Sequence, residues 1–170
     1  MKPTSQHWLH CRTPTPLGTL TLARTERGLC GAWFDDQRDA PPASSFHPER
    51  AQPGDALLQT ACEQLQAYFD GRLQGFDLPL DLDAGTVFQQ GVWQALLTLG
   101  FGQLGSYRGM AQQIHKVKAV RAVGGAIGRN PLSIIVPCHR VLGSNGQLTG
   151  YSGGLWRKQA LLRLEGHSLF

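Results

Sequence analysis

The chain has 170 residues, of which 41% are hydrophobic, and its net charge is +4 with a pI of about 9.1. This length suits one sizeable domain or two small ones. The apolar run that ends at Val136 is too short to cross a membrane, and the segment Met1 to Leu9 lacks the apolar core of a signal peptide. From these features we expect a soluble, cytoplasmic protein.

The charge is distributed unevenly along the chain. Residues 1–85 contain seven Lys/Arg and eleven Asp/Glu, which gives −4. Residues 86–170 contain nine Lys/Arg and a single carboxylate, Glu165, which gives +8. A basic half of this kind is typical of a surface that binds a polyanion. A solvated basic surface without a partner is the alternative, so the asymmetry alone only makes nucleic acid the leading hypothesis.

The cysteines indicate neither a disulfide framework nor a metal site. They show no Cys-x-x-Cys pairing, and a reducing compartment disfavours disulfides. The four positions are Cys11, Cys30, Cys62 and Cys138. His7, His10, Cys11 and Cys30 match the spacing of no common structural zinc site, so we predict no metal. Cys62 lies on the apolar face of a predicted helix and is interpreted as structural.

The first half of the chain predicts a small sheet followed by a helix. Three segments rich in Leu, Thr, Trp and Phe, at 7–13, 18–24 and 28–34, are separated by turn sequences and indicate an antiparallel meander. A polar, proline-punctuated loop follows at 35–54. From Asp55 the apolar residues take helical spacing, with Gly71 as the stop. Residues 76–83 then form an extended link that leads out of a first, α/β domain.

The second half predicts four helices. A capping box at 86–89 starts the first helix, which Gly100 closes. Ser106 caps a second helix, and after a short turn a third begins near Lys118. Two helices joined in this way within a basic half indicate a helix-turn-helix. The last helix runs from Leu155 to Leu164, and its candidate packing residues are Leu155, Leu161, Leu162 and Leu164.

The third of these helices has an outward face of small residues. At about 100° per residue, the inward side holds Val120, Val123 and Ile127. The opposite side holds Lys118, Arg121, Ala122 and Gly125. Small residues allow close approach to a neighbour, although each glycine costs the helix about 1 kcal/mol relative to alanine. Approach to a DNA groove also explains the cations, whereas close packing against another helix is the alternative.

The stretch 130–141 presents a cysteine, a histidine and an arginine in succession. The β-branched residues 134–136 predict a short buried strand that ends at Pro137, with Cys138 at its tip. A lone cysteine would be interpreted as a small core residue, but His139 and Arg140 follow directly. Because neighbours on an extended chain point to opposite faces, we expect that the His139 ring does not reach the Cys138 sulfur directly. The glycine-rich loop at 149–154 has no Gly-Lys-Ser/Thr phosphate signature, so it is not interpreted as a nucleotide-binding loop.

Several motifs, in this order, resemble the O6-alkylguanine-DNA alkyltransferase family, the methylated-DNA–protein-cysteine methyltransferases. They are Thr86-Val87-Phe88-Gln89, Ser106-Tyr107, Arg121-Ala122-Val123-Gly124-Gly125-Ala126, Asn130-Pro131, Pro137-Cys138-His139-Arg140-Val141, Tyr151-Ser152-Gly153-Gly154 and Glu165. The resemblance implies an α+β protein with two domains. Residues 1–85 would form a small ribonuclease-H-like α/β domain, an antiparallel sheet plus a helix, with a structural role. Residues 86–170 would form a mostly helical, winged-helix-like domain with a helix-turn-helix for DNA binding and alkyl transfer.

The resemblance also implies a reaction, which is direct-reversal DNA repair. The alkyl group of O6-alkylguanine, and also that of O4-alkylthymine, would pass irreversibly to Cys138, once per molecule. A relay from glutamate through histidine and water to cysteine maps to Glu165, His139 and Cys138. Tyr107 resembles the phenol that donates to guanine N3, and Asn130 resembles the residue that ties the helix-turn-helix to the active-site loop.

The family places its recognition helix in the minor groove of DNA. Arg121 resembles the finger that fills the space left by the flipped nucleotide. The other DNA-binding residues implied are Lys118, Ala119, Ala122, Gly124, Gly125, Ala126 and Tyr107. The guanine pocket would be walled by Val141, Tyr151, Ser152 and Gly153. The implied partner is duplex DNA containing O6-alkylguanine, without a cofactor. We expect a monomer in solution, and cooperative assembly on DNA stays open.

Two other functions are considered. A non-catalytic alkyltransferase-like protein would bind alkylated DNA and recruit other repair factors, but that class usually lacks the cysteine. A cysteine hydrolase using Cys138 and His139 would need an oxyanion hole, and adjacency in sequence is a poor geometry for a nucleophile and its base. The zinc ligands that some family members carry do not map onto His7, His10, Cys11 and Cys30, which again predicts no zinc.

Overall fold

The computed structural model describes residues 8–170 and divides the chain between Ala84 and Gly85 into two compact units. The first unit contains a three-stranded antiparallel sheet in the order β1-β2-β3 and one long helix. The elements are β1 (Leu9–Thr13), β2 (Leu20–Thr25), β3 (Gly28–Phe34) and α1 (Ala56–Phe69). The predicted meander and helix are therefore confirmed.

The helix α1 is fixed at both ends by residues that the sequence singles out. The Asp55 carboxylate accepts from the backbone N–H of Leu58 at 3.0 Å, which caps the first turn. Gly71, with φ +73°, follows the last turn in the left-handed region that glycine favours. Helix α1 buries Leu58, Ala61, Leu65 and Tyr68, and every residue of β3 is buried. The core of this unit therefore lies between the sheet and α1.

The second unit is mostly helical. Its elements are α2 (Val87–Leu96), β4 (Gly105–Ser106), α3 (Tyr107–Gln113), α4 (Val120–Gly128), β5 (Val141–Leu142) and α5 (Leu155–Leu164). The predicted capping box is present, because Thr86 and Gln89 exchange side-chain and backbone hydrogen bonds. Ser106 caps α3 by accepting from the N–H of Gly109. The short parallel pair β4–β5 brings the start of α3 beside the segment that follows Cys138.

Helices α3 and α4 form the predicted helix-turn-helix. The turn between them contains His115 at φ +58°, a conformation that is uncommon outside glycine. Helix α4 begins at Val120, two residues later than predicted. The indole Nε1 of Trp93 donates to the carbonyl of Ala126 at 2.9 Å, which ties α2 to α4. None of the helices in residues 8–170 is long and apolar enough to span a membrane.

Two expectations about this unit are wrong. Residues 134–136 form turns rather than a strand, because Ile134 adopts φ +73° and reverses the chain. Cys138, His139 and Arg140 then form a single 3-10 turn, so the argument from an extended chain does not apply to them. Leu155 is 48% exposed and does not pack, whereas Arg157 and Lys158 of the same helix are buried.

Candidate active site

The side chain of Asn130 forms a hydrogen bond with the Cys138 sulfur. The amide Nδ2 lies 3.1 Å from the Cys138 sulfur and also donates to the carbonyl of Val136 at 2.8 Å. The amide oxygen accepts from the N–H of Leu132 at 2.9 Å. Asn130 lies two residues after the end of α4, and it therefore links the helix-turn-helix to the loop that carries the cysteine. These bonds also stabilise the turn at Ile134, whose left-handed backbone costs a β-branched residue about 1–3 kcal/mol.

Glu165 is the centre of a buried charge cluster at the end of α5. Its Oε1 lies 2.9 Å from His139 Nε2 and 2.7 Å from Arg140 Nη2, and its Oε2 accepts from Arg140 Nε at 2.9 Å. The Arg140 Nη1 donates to the carbonyl of Leu99 at 2.5 Å. Burial alone would raise the pKa of Glu165, but the bonds from His139 and Arg140 outweigh it and hold the pKa below its ordinary value of 4.5.

The protonation state of His139 follows from this contact. An ionised carboxylate can only accept, so the His139 Nε2 carries the proton and Nδ1 is the basic nitrogen. Within the described residues 8–170, Nδ1 makes no hydrogen bond to another group. Burial lowers the pKa of His139, and the Glu165 carboxylate opposes that effect only in part. His139 is therefore a neutral imidazole at pH 7 with one free lone pair.

The Cys138 thiol is neutral in the resting protein. It is 7% exposed, and burial raises its pKa above the ordinary 9.0. The Asn130 amide, the positive charge of Lys158 and the backbone N–H groups of Cys138 and His139 oppose this effect. The environment thus contains several groups that stabilise a thiolate once the proton has been removed.

Lys158 is a site residue that the sequence analysis missed. Its side chain is fully buried, and its ammonium donates to the carbonyl oxygens of Val141 at 2.5 Å, Thr149 at 2.9 Å and Gly150 at 3.4 Å. These bonds join the glycine-rich loop to β5. Burial lowers the pKa of Lys158 to about 8, so the side chain stays mostly charged at pH 7. The only sequence signal was a basic residue on a helix, which ordinarily lies in solvent.

The predicted pocket residues lie on this loop and on β5. Val141 and Gly153 are buried, while Tyr151 and Ser152 are partly exposed. Burial raises the pKa of Tyr151 well above 10, and the charge of a Cys138 thiolate adds to the effect. Tyr107, at the start of α3, donates its phenol hydrogen to the carbonyl of Thr149 at 3.0 Å. Tyr107 and the loop therefore meet at the carbonyl that Lys158 also binds.

The outward face of α4 differs in detail from the prediction. Lys118, Arg121, Ala122 and Gly125 are exposed, and Ala119 and Gly124 are partly so. Ala126 is 3% exposed and points into the core, contrary to its place in the predicted DNA face. A Cβ on Gly124 would lie 3.6 Å from the Tyr107 ring, whereas one on Gly125 would meet nothing within 4 Å. Close helix packing therefore does not explain Gly125.

Three of the four residues considered for zinc have contacts of their own. His10 bonds the carbonyl of His47 at 2.9 Å, Cys11 lies 3.8 Å from the sulfur of Cys62, and Cys30 belongs to a cluster with Ala23 and Trp33. His7 is outside the described residues. No group of three or more His, Cys, Asp or Glu side chains in residues 8–170 is arranged to hold a metal ion.

Comparison with known proteins gives a consistent result over both halves of the chain. The family model described as 6-O-methylguanine DNA methyltransferase, DNA binding domain, matches residues 87–167. The model for the ribonuclease-like domain of the same proteins matches residues 11–82. The methylated-DNA–protein-cysteine methyltransferase of Mycobacterium leprae is 47% identical over 162 residues, which cover 95% of this chain and 94% of that protein.

Mycobacterium tuberculosis provides a second relative and a solved structure. Its methylated-DNA–protein-cysteine methyltransferase is 49% identical over 158 residues, covering 92% of each protein. The crystal structure of Mycobacterium tuberculosis OGT in complex with DNA matches with a TM-score of 0.81 at 46% identity, over 92% of this chain and 91% of that chain. This chain belongs to the methylated-DNA–protein-cysteine methyltransferase family.

Proposed function

We propose that this protein repairs DNA by direct reversal, moving the alkyl group of O6-alkylguanine in duplex DNA to its own Cys138. The observation that carries the proposal is the arrangement around the sulfur: Asn130 donates to Cys138, and the next residue, His139, is a neutral base oriented by buried Glu165. In the reaction the sulfur attacks the alkyl carbon, the bond from that carbon to O6 breaks, and a thioether forms. A thioether is not hydrolysed, so each molecule acts once.

Activation of the nucleophile requires removal of the thiol proton. Since a thiolate is the reactive form and burial keeps the resting thiol neutral, a base must act when the substrate is bound. His139 Nδ1 has the free lone pair for this role, with a water carrying the proton from the sulfur. The resulting imidazolium is stabilised by Glu165. The ammonium of Lys158 and the amide of Asn130 favour the thiolate while it reacts.

The leaving group also needs stabilisation as its bond to the alkyl carbon breaks. We assign Tyr107 as the donor to guanine N3, which offsets the negative charge that develops on the base. In the free protein its hydroxyl bonds the carbonyl of Thr149. This carbonyl also accepts from Lys158, and it therefore keeps a partner when Tyr107 turns to the base. Val141, Tyr151, Ser152 and Gly153 are proposed as the pocket walls.

The DNA contacts are proposed for the exposed face of α4. The base must leave the stack to reach a buried sulfur, at a cost of a few kcal/mol. Arg121 is exposed, and its side chain makes no ion pair or hydrogen bond within residues 8–170, so it is available to fill the gap. Lys118, Ala119, Ala122, Gly124 and Gly125 would line the minor groove. Ala126 is buried beneath this face, and we do not propose that it contacts DNA.

We assign DNA binding and alkyl transfer to residues 86–170 and a structural role to residues 1–85, because every side chain named in the site lies in the former range. The protein would act in the cytoplasm, where reducing conditions keep the Cys138 thiol free. The non-catalytic alternative is not favoured, since the cysteine is present and surrounded by groups that stabilise its thiolate.

The proposal is tested by following O6-methylguanine in a short duplex mixed with increasing amounts of protein. We expect the lesion to disappear in a rapid burst whose size equals the amount of protein, with no further turnover. Cys138→Ser should abolish the burst while still binding the duplex. Repair by the serine variant, or turnover beyond one lesion per chain, would contradict the assignment.

A further inference from the structure

Two cysteines outside the site form a close pair in the first unit. Cys11 of β1 and Cys62 of α1 are 51 residues apart in sequence, yet their sulfur atoms lie 3.8 Å apart. Cys11 is 5% exposed, while Cys62 is partly open to solvent. A disulfide bond is about 2 Å long, so the sulfurs need to approach by about 1.8 Å, which small side-chain rotations can supply.

The two thiols are chemically unequal. The Cys11 and Cys62 sulfurs share a hydrogen bond, which either thiol can donate. This bond, helped by the Thr13 hydroxyl and opposed by burial and by Glu63, lowers the pKa of Cys62 to about 6. The same bond, together with burial, raises the pKa of Cys11. The contact thus favours a thiolate within the pair, and Cys62 is the partner that solvent can reach.

The other two cysteines lack this combination. Burial raises the pKa of Cys30 to about 12, and burial also raises the pKa of Cys138. Both are buried. An oxidant that attacks thiolates would therefore meet Cys62 first.

We propose that Cys11 and Cys62 form a peroxide-reactive dithiol that oxidises to a disulfide between β1 and α1. The Cys62 thiolate attacks one oxygen of hydrogen peroxide, the O–O bond breaks, and the Cys62 sulfenic acid and hydroxide form. The Cys11 sulfur then attacks the Cys62 sulfur, displacing the hydroxyl group, which leaves as water with the Cys11 proton. Overall two thiols are oxidised and one peroxide is reduced to two waters. The pair consumes peroxide while Cys138 remains a thiol.

The test uses the full reduced chain and hydrogen peroxide at low molar excess, followed by denaturation with iodoacetamide and digestion with trypsin without reductant. Trypsin separates the four cysteines, because Arg12, Arg50, Arg129 and Arg140 divide them among four peptides. We expect a linked pair of the Cys11 and Cys62 peptides, lighter by two hydrogen atoms than the sum of the free peptides. The Cys30 and Cys138 peptides should carry iodoacetamide in full.

Two variants test whether the link depends on Cys11 and not on the other buried cysteine of the sheet. In Cys11→Ser the link should be absent, and Cys62 should be trapped as a sulfenic acid by dimedone. Cys30→Ser, the matched control from the same sheet, should give the link at the rate of the unaltered chain. The proposal is overturned if Cys138 oxidises before or together with Cys62, if Cys62 links to another cysteine, or if Cys11 and Cys62 both carry iodoacetamide at peroxide doses that oxidise Cys138.

Discussion

The chemistry of the site depends on which side chains are charged when they are buried. His139 is kept neutral by burial and is oriented by an ionised Glu165, and its Nδ1 is the free basic atom. The same burial would make an isolated histidine a weak base, and the adjacent carboxylate offsets part of that loss. The neighbourhood therefore supplies a base that remains unprotonated at neutral pH.

This arrangement predicts the pH dependence of alkyl transfer. Because the pKa of His139 is lowered from its ordinary 6.5, more of the imidazole stays neutral as the pH falls to about 6 than for an ordinary histidine. A histidine with a pKa of 6.5 would lose about three quarters of its neutral form at that pH. We expect a smaller loss of the single-turnover rate, measured at saturating duplex DNA. A rate that falls threefold or more between pH 7.5 and pH 6 would contradict the neutral-base assignment.

Replacement of His139 gives a separate test of its role. His139→Gln keeps a hydrogen-bonding side chain but removes the base, and we expect the transfer rate to fall about 10²–10⁴-fold. DNA affinity should be unchanged, as measured by fluorescence anisotropy with an unmodified duplex. A variant that reacts within tenfold of the natural rate would show that the Cys138 proton leaves by another route.

Glu165 also contributes to stability, and the sign follows from its pKa. A carboxyl whose pKa is held below 4.5 in the folded state contributes stability that is fully present above that pH and is lost as the pH falls through the folded pKa. Glu165→Gln leaves the buried Arg140 without its counter-charge, which should cost about 3–5 kcal/mol at pH 7. Denaturant titrations at pH 7 and pH 4 should show this difference narrowing in acid. A difference that widens in acid would contradict the assigned charge state.

Among single residues, the sequence pointed to the proposed reacting groups more clearly than to the side chains that hold them in place. Cys138, His139 and Glu165 stand out because the cysteine and histidine are adjacent and Glu165 is the lone carboxylate of a basic half. Lys158 could not be found in this way, because a lysine on a helix ordinarily reaches solvent. Only the fold shows that the carbonyls of β5 and of the glycine-rich loop surround its ammonium.

In the second unit, residues just beyond the ends of two helices form the hydrogen bonds that position the site. Asn130, two residues after the end of α4, holds the loop of the cysteine, and Glu165, the residue after α5, holds His139 and Arg140. Helix starts were predictable, because Thr86 and Ser106 satisfy orphan N–H groups through local bonds. The turn that replaces the strand expected at 134–136 was not predictable, since the left-handed backbone at Ile134 depends on hydrogen bonds from the side chain of Asn130.

The exposed glycine on α4 gives a prediction at the scale of this element. Since a Cβ at Gly125 meets nothing within 4 Å, Gly125→Ala should raise stability by about 0.5–1 kcal/mol through helix propensity. If DNA approaches the backbone there, the same change should weaken duplex binding. Gly91→Ala on α2 is the matched control, because its Cβ also lies in open space. Equal DNA affinity for both variants would remove Gly125 from the proposed interface.

Arg121 on the same helix separates base flipping from chemistry. Arg121→Ala should slow alkyl transfer from duplex DNA much more than reaction with free O6-benzylguanine, because only the duplex has a gap to fill. The single-turnover rates of both substrates, measured at saturation, give the comparison. Arg108→Ala is a useful control, since Arg108 is exposed on α3 and carries the same charge. Equal losses on both substrates with Arg121→Ala would contradict the finger role.

At the scale of the whole molecule, the division of charge matches the division of roles. The half that carries +8 contains all the proposed DNA-binding and reacting groups, and the half that carries −4 contains the sheet, α1 and the thiol pair. The fold class was predictable because strand alternation and helix periodicity change near Asp55 and again at Thr86. The Cys11–Cys62 contact could not be predicted from the sequence, because the position of β1 against α1 is set by tertiary packing.

Alkyl transfer to Cys138 is tested most directly by the mass of the protein after reaction with a duplex containing one O6-methylguanine. We predict that every chain gains one methylene group and no more, and that a tryptic digest places it on the peptide 130–140, which contains Cys138. A methylene group on another peptide, or damage-specific binding without any gain in mass, would contradict the account.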